Sequence, residues 1–221
     1  MARHGRALEA VLLDFGGVIA EEGFREGLRY LAEVQGLDPD AVEALGPDAM
    51  HDSGYISGDG TEADFWALMR ARGGLAGPDD ALTEVILRRF VLRPWMLAYV
   101  EKLRASGLVV AILSDQTDWL ERLDEEEHFS RCFDRVFNSY RLGRSKRDPG
   151  MFDEVVAELN VAPAAALFID DTPGHVERAR ARGLAGIVYR GRRELSERLR
   201  AWPELPVLAP PDAGEAVSGR S

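Results

Sequence analysis

Three apolar runs of the chain end in a residue able to do chemistry. Val11-Leu12-Leu13 stops at Asp14, the run from Leu108 stops at Ser114, and the run from Ala166 stops at Asp170, with Asp171 directly after it. A carboxylate at the end of a buried strand is costly unless a cation or hydrogen-bond donors satisfy it. Asp14 is followed by Phe15-Gly16-Gly17-Val18, and two glycines let the backbone turn and bring N–H groups close to a ligand. A carboxylate facing such donors can attack phosphorus and form an aspartyl-phosphate; a strand-ending Asp before a glycine turn is the simpler alternative. Asp170-Asp171 is the stronger signal, because adjacent carboxylates repel and a hard divalent cation with oxygen ligands relieves the repulsion. Capping of the next helix by Asp171 or Thr172, with Pro173 in its first turn, accounts for one acid but not for Asp170 as well. The Ser114 hydroxyl can donate to a phosphate oxygen, although a serine leaving a strand is more often a turn residue. Lys146 lies in Arg141–Pro149, the densest basic stretch, where it can reach the sheet edge as a point-charge phosphate partner or belong to a solvated loop.

These residues meet only if the strands that carry them lie side by side. Strand-like runs at 11–14, 108–114, 135–138, 166–170 and 186–189 alternate with helical patterns near 95–106, 118–128, 150–159, 174–182 and 192–200. Continuous apolar strands suit a parallel sheet covered on both faces, and the alternation predicts an α/β, doubly wound (Rossmann-like) fold. Its strand carboxyl ends share one edge, where ligands bind. Residues 20–92 break the rhythm, with helical patterns near 25–35, 61–72 and 79–90 and no strand. Gly58-Asp59-Gly60 marks a turn there, and Thr61 with Asp64 has the spacing of a helix cap. The segment reads as a small helical cap domain inserted after the first strand. The expected division is a core of 1–19 and 93–202, a cap of 20–92, and a loosely packed tail of 203–221 rich in Pro, Ala and Gly.

Composition narrows the function classes. With 221 residues, 46 % hydrophobic and 29 % charged, the chain can bury a core without staples. Its single cysteine cannot form an internal disulfide, which points to a reducing, cytoplasmic compartment. A net charge of -11, from 38 acidic against 27 basic residues, argues against a nucleic-acid partner. No apolar run of ~18 residues exists, so no membrane span is expected. His4, His51, His128 and His175 lack metal-ligand spacing. His175 follows the acidic pair, where a place in the site and a structural polar role are both open, and His51 with Asp52 offers a place for a substitute acid. Trp66, Trp95 and Trp119 read as core or cap packing, and Cys132 as an inert buried thiol.

Taken together and in this order, the motifs resemble those of the haloacid dehalogenase superfamily, whose members are mostly Mg²⁺-dependent phosphatases. Val11–Val18 is similar to its first motif and Leu113-Ser114 to its second. Lys146-Arg147-Asp148-Pro149-Gly150-Met151-Phe152 is similar to the third, and Phe168–Pro173 with His175-Val176 and Gly183 to the fourth. The resemblance covers about residues 9–190 and includes a helical cap where the family inserts one. It implies Asp14 as nucleophile, Asp14, Asp170, Asp171 and the Gly16 carbonyl around Mg²⁺, and Lys146 neutralising charge beside Asp14. Ser114, Asp115, Phe15, Gly16 and Lys146 would contact a small phosphorylated metabolite, in a monomer or homodimer. Two positions depart from the pattern. Gly16 stands where the family's phosphatases carry a second aspartate for proton transfer, help worth typically ~10²–10⁴-fold. The Asp-x-Gly-x-Val form also resembles a branch of capped sugar-phosphate phosphatases, whose good leaving groups need less protonation. Arg147 stands where proline is common. A haloacid dehalogenase-type hydrolase and a catalytically silent phosphate-binding module are the alternative readings.

Overall fold

The computed structural model describes residues 7–211; His4 and residues 212–221 of the tail lie outside the described residues. Five strands form one parallel sheet: β1 (Ala10–Leu13), β2 (Val109–Ser114), β3 (Arg135–Asn138), β4 (Ala166–Asp170) and β5 (Ala185–Val188), in the order β3-β2-β1-β4-β5. The strand order reverses between β1 and β4, the position at which open α/β sheets bind ligands. Register does the rest. Leu13 is level with Ile112 on one side and Ile169 on the other, so Asp14 leaves the sheet beside Asp170.

Side chains alternate across the sheet, as strand geometry demands. Leu12, Ala111 and Phe168 face one way, onto Met151, Phe152 and Val155 of α8 (Gly150–Glu158). Val11, Leu13, Ile112 and Ile169 face the other way, toward Met96, Tyr99 and Val100 of α5 (Pro94–Ala105). Both faces are therefore covered, which is why these strands read as unbroken apolar runs. Four helices stand between β1 and α5: α1 (Gly23–Val34), α2 (Pro39–Asp52), α3 (Glu62–Gly73) and α4 (Asp79–Leu87). The Thr61–Asp64 capping box is present at the start of α3. The remaining helices are α6 (Trp119–Glu127), the single turn α7 (Ser139–Leu142), α9 (Pro173–Ala181) and α10 (Arg192–Leu199).

Three expectations need correction. The helical patterns near 25–35, 61–72 and 79–90 miss α2 entirely, because Gly46-Pro47 sits inside it and reads as a break. The helix survives there because Val42, Ala49 and Met50 are buried within the main hydrophobic cluster. The described part of the tail is not loose: Leu205 and Leu208 are buried, and the Pro206 and Leu208 carbonyls accept hydrogen bonds from Tyr99 and Ser196. Two leucines suffice because those hydroxyls satisfy the adjoining backbone. Cys132 is only partly buried. Trp66 and Trp119 are fully buried core residues, donating to Thr83 and Glu62 respectively.

Candidate active site

Asp14, just beyond β1, is held by its own loop and by Lys146. Its Oδ1 accepts the Phe15 N–H at 2.7 Å and lies 2.8 Å from Lys146 Nζ. Among the described residues Oδ2 carries no hydrogen bond, and Asp14 lines a cavity of about 310 Å³. Lys146 Nζ also donates to Asp170 Oδ2 at 2.6 Å, so one buried ammonium bridges the ends of β1 and β4. The loop that delivers it is pinned by Asp115, whose Oδ1 accepts the Lys146 N–H at 2.7 Å. Asp170 is held in turn: Oδ1 accepts the Thr172 N–H at 2.7 Å, and Oδ2 lies 3.2 Å from His175 Nδ1.

The electrostatics follow from burial. Desolvation pushes the Asp14 carboxyl well above the usual range against the pull of Lys146, and Asp170 and Asp171 add to the rise. Burial acts to raise Asp170 as well, but Lys146 and His175 hold it below the ordinary value. Burial acts to lower Lys146, and Asp14 and Asp170 overcome it and raise it. Asp14 and Asp170 share one ammonium, and Asp171 lies near enough to raise Asp14, so hard oxygen donors outnumber the cation, the donor set that suits Mg²⁺. Ligand atoms of Asp14, Asp170 and His175 lie within 4.8 Å of one another, inside the ~5 Å span of oxygens around one such cation. An imidazole matches a hard cation poorly, and His175 serves instead as a partner of Asp170. Asp171 lies outside that trio and stands against Gly17, whose φ of +77° and lack of a Cβ leave room for its carboxylate.

The other expected residues separate into two groups. Ser114, Asp115 and Gly16 line the cavity. Phe15 does not contribute a side chain to it: the ring is fully buried, 4.7 Å from Phe129 and 5.8 Å from Phe90, and its N–H is taken by Asp14. Arg147 lines the cavity and pairs with Asp48 of α2 at 3.1 Å. His51 also faces the cavity, while Asp52 turns away to pair with Arg72.

Sequence reasoning missed two residues. Arg93 sits ahead of α5, far from β1 in sequence, yet its Nη1 donates to the carbonyls of Gly17, Val18 and Ala20, fixing the loop after Asp14. Glu22, half-buried on the cavity wall, is pushed up to about 7 by burial and then by Asp171. Neither contact has a local signal, since both partners are set by packing.

A parallel sheet with acids and a lysine gathered at its switch point defines a doubly wound α/β protein whose site lies at the strand carboxyl ends. The chain belongs to the haloacid dehalogenase-like hydrolase family, which matches residues 8–183. Flavin mononucleotide hydrolase 1 of Arabidopsis thaliana is 27 % identical over 120 residues, 54 % of this chain and 49 % of that protein. This chain spans about half the length or less of the curated relatives it matches. A HAD family enzyme of Bacteroides thetaiotaomicron, solved as a magnesium complex, superimposes with a TM-score of 0.68 at 20 % identity, covering 88 % of this chain and 100 % of that one. The same enzyme has been solved with magnesium and inorganic phosphate (TM-score 0.60, 20 % identity, 83 % and 95 % covered). An L-2-haloacid dehalogenase superimposes with a TM-score of 0.64 at 20 % identity, over 82 % and 86 % of the two chains.

Proposed function

We propose that this hydrolase is a Mg²⁺-dependent phosphomonoesterase acting on a small phosphorylated metabolite through an aspartyl-phosphate on Asp14. The observation that carries the reading is the Asp14 carboxylate itself. One oxygen is fixed by the Phe15 N–H and Lys146, and the other is left for chemistry on the wall of a cavity of about 310 Å³. That volume suits a small ligand. Asp14 Oδ2 attacks phosphorus in line as the bond to the leaving oxygen breaks, and water then cleaves the acyl phosphate. Lys146 stays charged and offsets the negative charge gathered at phosphorus. Ser114 donates its hydroxyl to a phosphoryl oxygen. Asp14, Asp170, Asp171 and the Gly16 carbonyl are the groups that would hold Mg²⁺, which supplies Lewis-acid charge stabilisation when bound. The magnesium and phosphate complexes of the Bacteroides enzyme support this assignment of cofactor and substrate class.

Turnover of p-nitrophenyl phosphate with and without Mg²⁺ tests it. Activity is expected to vanish in EDTA and in Asp14→Asn, and metal-dependent turnover no higher than that control would refute the proposal. Likeness to an L-2-haloacid dehalogenase supports carbon–halogen hydrolysis as a second reading. It leaves the surplus carboxylate of Asp171 without a purpose, and chloride release from 2-haloacids discriminates the two. Binding of phosphate and Mg²⁺ by calorimetry without turnover of any substrate would instead mark a silent binding module.

A further inference from the structure

Position 16 lies two residues beyond Asp14, on the cavity wall, and carries no side chain. A Cβ at this position would have two near neighbours, the Phe90 ring edge at 3.2 Å and Glu22 Oε2 at 3.5 Å. A carboxyl on such a Cβ would extend its oxygens roughly 2.4 Å further, into the space that the Glu22 carboxylate borders. Glu22 is the N-cap of α1, and its Oε1 accepts the Arg25 N–H at 3.2 Å. Among the described residues Oε2 has no hydrogen bond. The cap thus anchors one oxygen and leaves the other beside Gly16, on the cavity that Asp14 also lines.

We infer that Glu22 is the proton donor and acceptor of this site, delivering from the start of α1 the carboxyl that position 16 lacks. The inference rests on the phosphomonoesterase reading and completes its proton accounting. In the first half, the Asp14 Oδ2–phosphorus bond forms, the bond from phosphorus to the leaving oxygen breaks, and the Glu22 proton passes to that oxygen to give an alcohol. In the second, the Glu22 carboxylate takes a proton from water as the water oxygen bonds to phosphorus. The Asp14–phosphorus bond breaks, releasing inorganic phosphate with Asp14 ionised and Glu22 protonated again. His51 is the competing donor on the same cavity.

Glu22→Gln keeps the Oε1 acceptor of the helix cap and removes only the transferable proton. Its kinetics are compared with those of wild type, His51→Asn and Asp14→Asn on p-nitrophenyl phosphate and on an alkyl phosphate, whose leaving group needs protonation. The expected loss in kcat/KM for the alkyl ester is on the order of 10²-fold or more, against less than about tenfold for the nitrophenyl ester. A burst of about one nitrophenolate per enzyme should precede slow turnover, as the phosphorylated Asp14 waits for water. Mg²⁺ affinity by calorimetry and the melting temperature should be unchanged. Equal losses on both esters without a burst, weakened Mg²⁺ binding, or the leaving-group signature in His51→Asn instead of Glu22→Gln would overturn the inference. Wild-type activity in Asp14→Asn would defeat the parent reading instead.

Discussion

Replacing Lys146 with methionine asks what holds β1 and β4 together at the active edge. The ammonium is fully buried between Asp14 at 2.8 Å and Asp170 at 2.6 Å, and the Asp170 side chain is itself 0 % exposed. Removing one partner of a buried ionic network leaves uncompensated charge and typically costs about 3–5 kcal/mol. For a chain of this size ~1 kcal/mol moves the melting temperature by about 2–4 °C, so Lys146→Met should melt some ~6–20 °C lower at pH 7.5 in EDTA. The pH dependence has a definite sign. In wild type Asp170 sits below its ordinary value, so its contribution is present above the unfolded pKa and is lost only as pH falls through the acid range. The raised Lys146 contributes fully below its unfolded pKa, and that contribution is lost only in strong alkali. Without Lys146, burial raises Asp170 and lifts Asp14, already raised in wild type, further still, so the folded variant binds more protons than wild type does relative to the unfolded chain. It therefore gains stability as pH falls from 8 toward 5, and its deficit against wild type shrinks. Mg²⁺ should narrow the deficit too, by returning positive charge to the same oxygens. Thermal unfolding followed by circular dichroism across pH, with EDTA or Mg²⁺, reads all of this. A variant that melts within about 1 °C of wild type, about 0.25–0.5 kcal/mol, would refute the reasoning. So would a deficit that widens on acidification.

Arg93→Ala should destabilise by on the order of 2–4 kcal/mol, because three carbonyls of the loop after Asp14 lose their donor. A loss below ~1 kcal/mol in urea unfolding would mean that the turn bonds onto the Phe15 carbonyl suffice. Gly17→Ala places a methyl at φ +77° and against the Asp171 carboxylate. It should lower the melting temperature by roughly 2–8 °C and weaken Mg²⁺ binding by calorimetry; an unchanged affinity would separate Asp171 from the metal. Arg147→Ala removes an exposed pair with Asp48 worth ~0.2–1 kcal/mol. Stability should barely move while KM for phosphorylated substrates rises, and an unchanged KM would exclude Arg147 from substrate binding.

How far the site was legible depends on where each contact comes from. Asp14, Ser114 and Asp170 could be found because each ends an unbroken apolar run, and such runs exist where a parallel strand is covered on both faces. Alternation of strands and helices then puts those ends on one edge. Adjacency to Asp14 says nothing about which way the Phe15 ring points, and it packs between Phe90 and Phe129. The same reasoning passed over α2 because Pro47 is a local breaker, and burial of Val42, Ala49 and Met50 outweighs a local preference. Cap spacing at Thr61 was readable because its partner is three residues away.

The order of strands and helices, the parallel sheet, and the acids that end its strands were written in the chain, since each rests on periodicity or nearest neighbours, whereas Lys146 stood out only through the order of the motifs. Tertiary packing alone decided that Lys146 bridges Asp14 and Asp170, that Arg93 clamps the turn after β1, and that Glu22 borders the space above Gly16. Those contacts join residues brought together by helix and strand docking, and no local pattern in the chain encodes the distance between them.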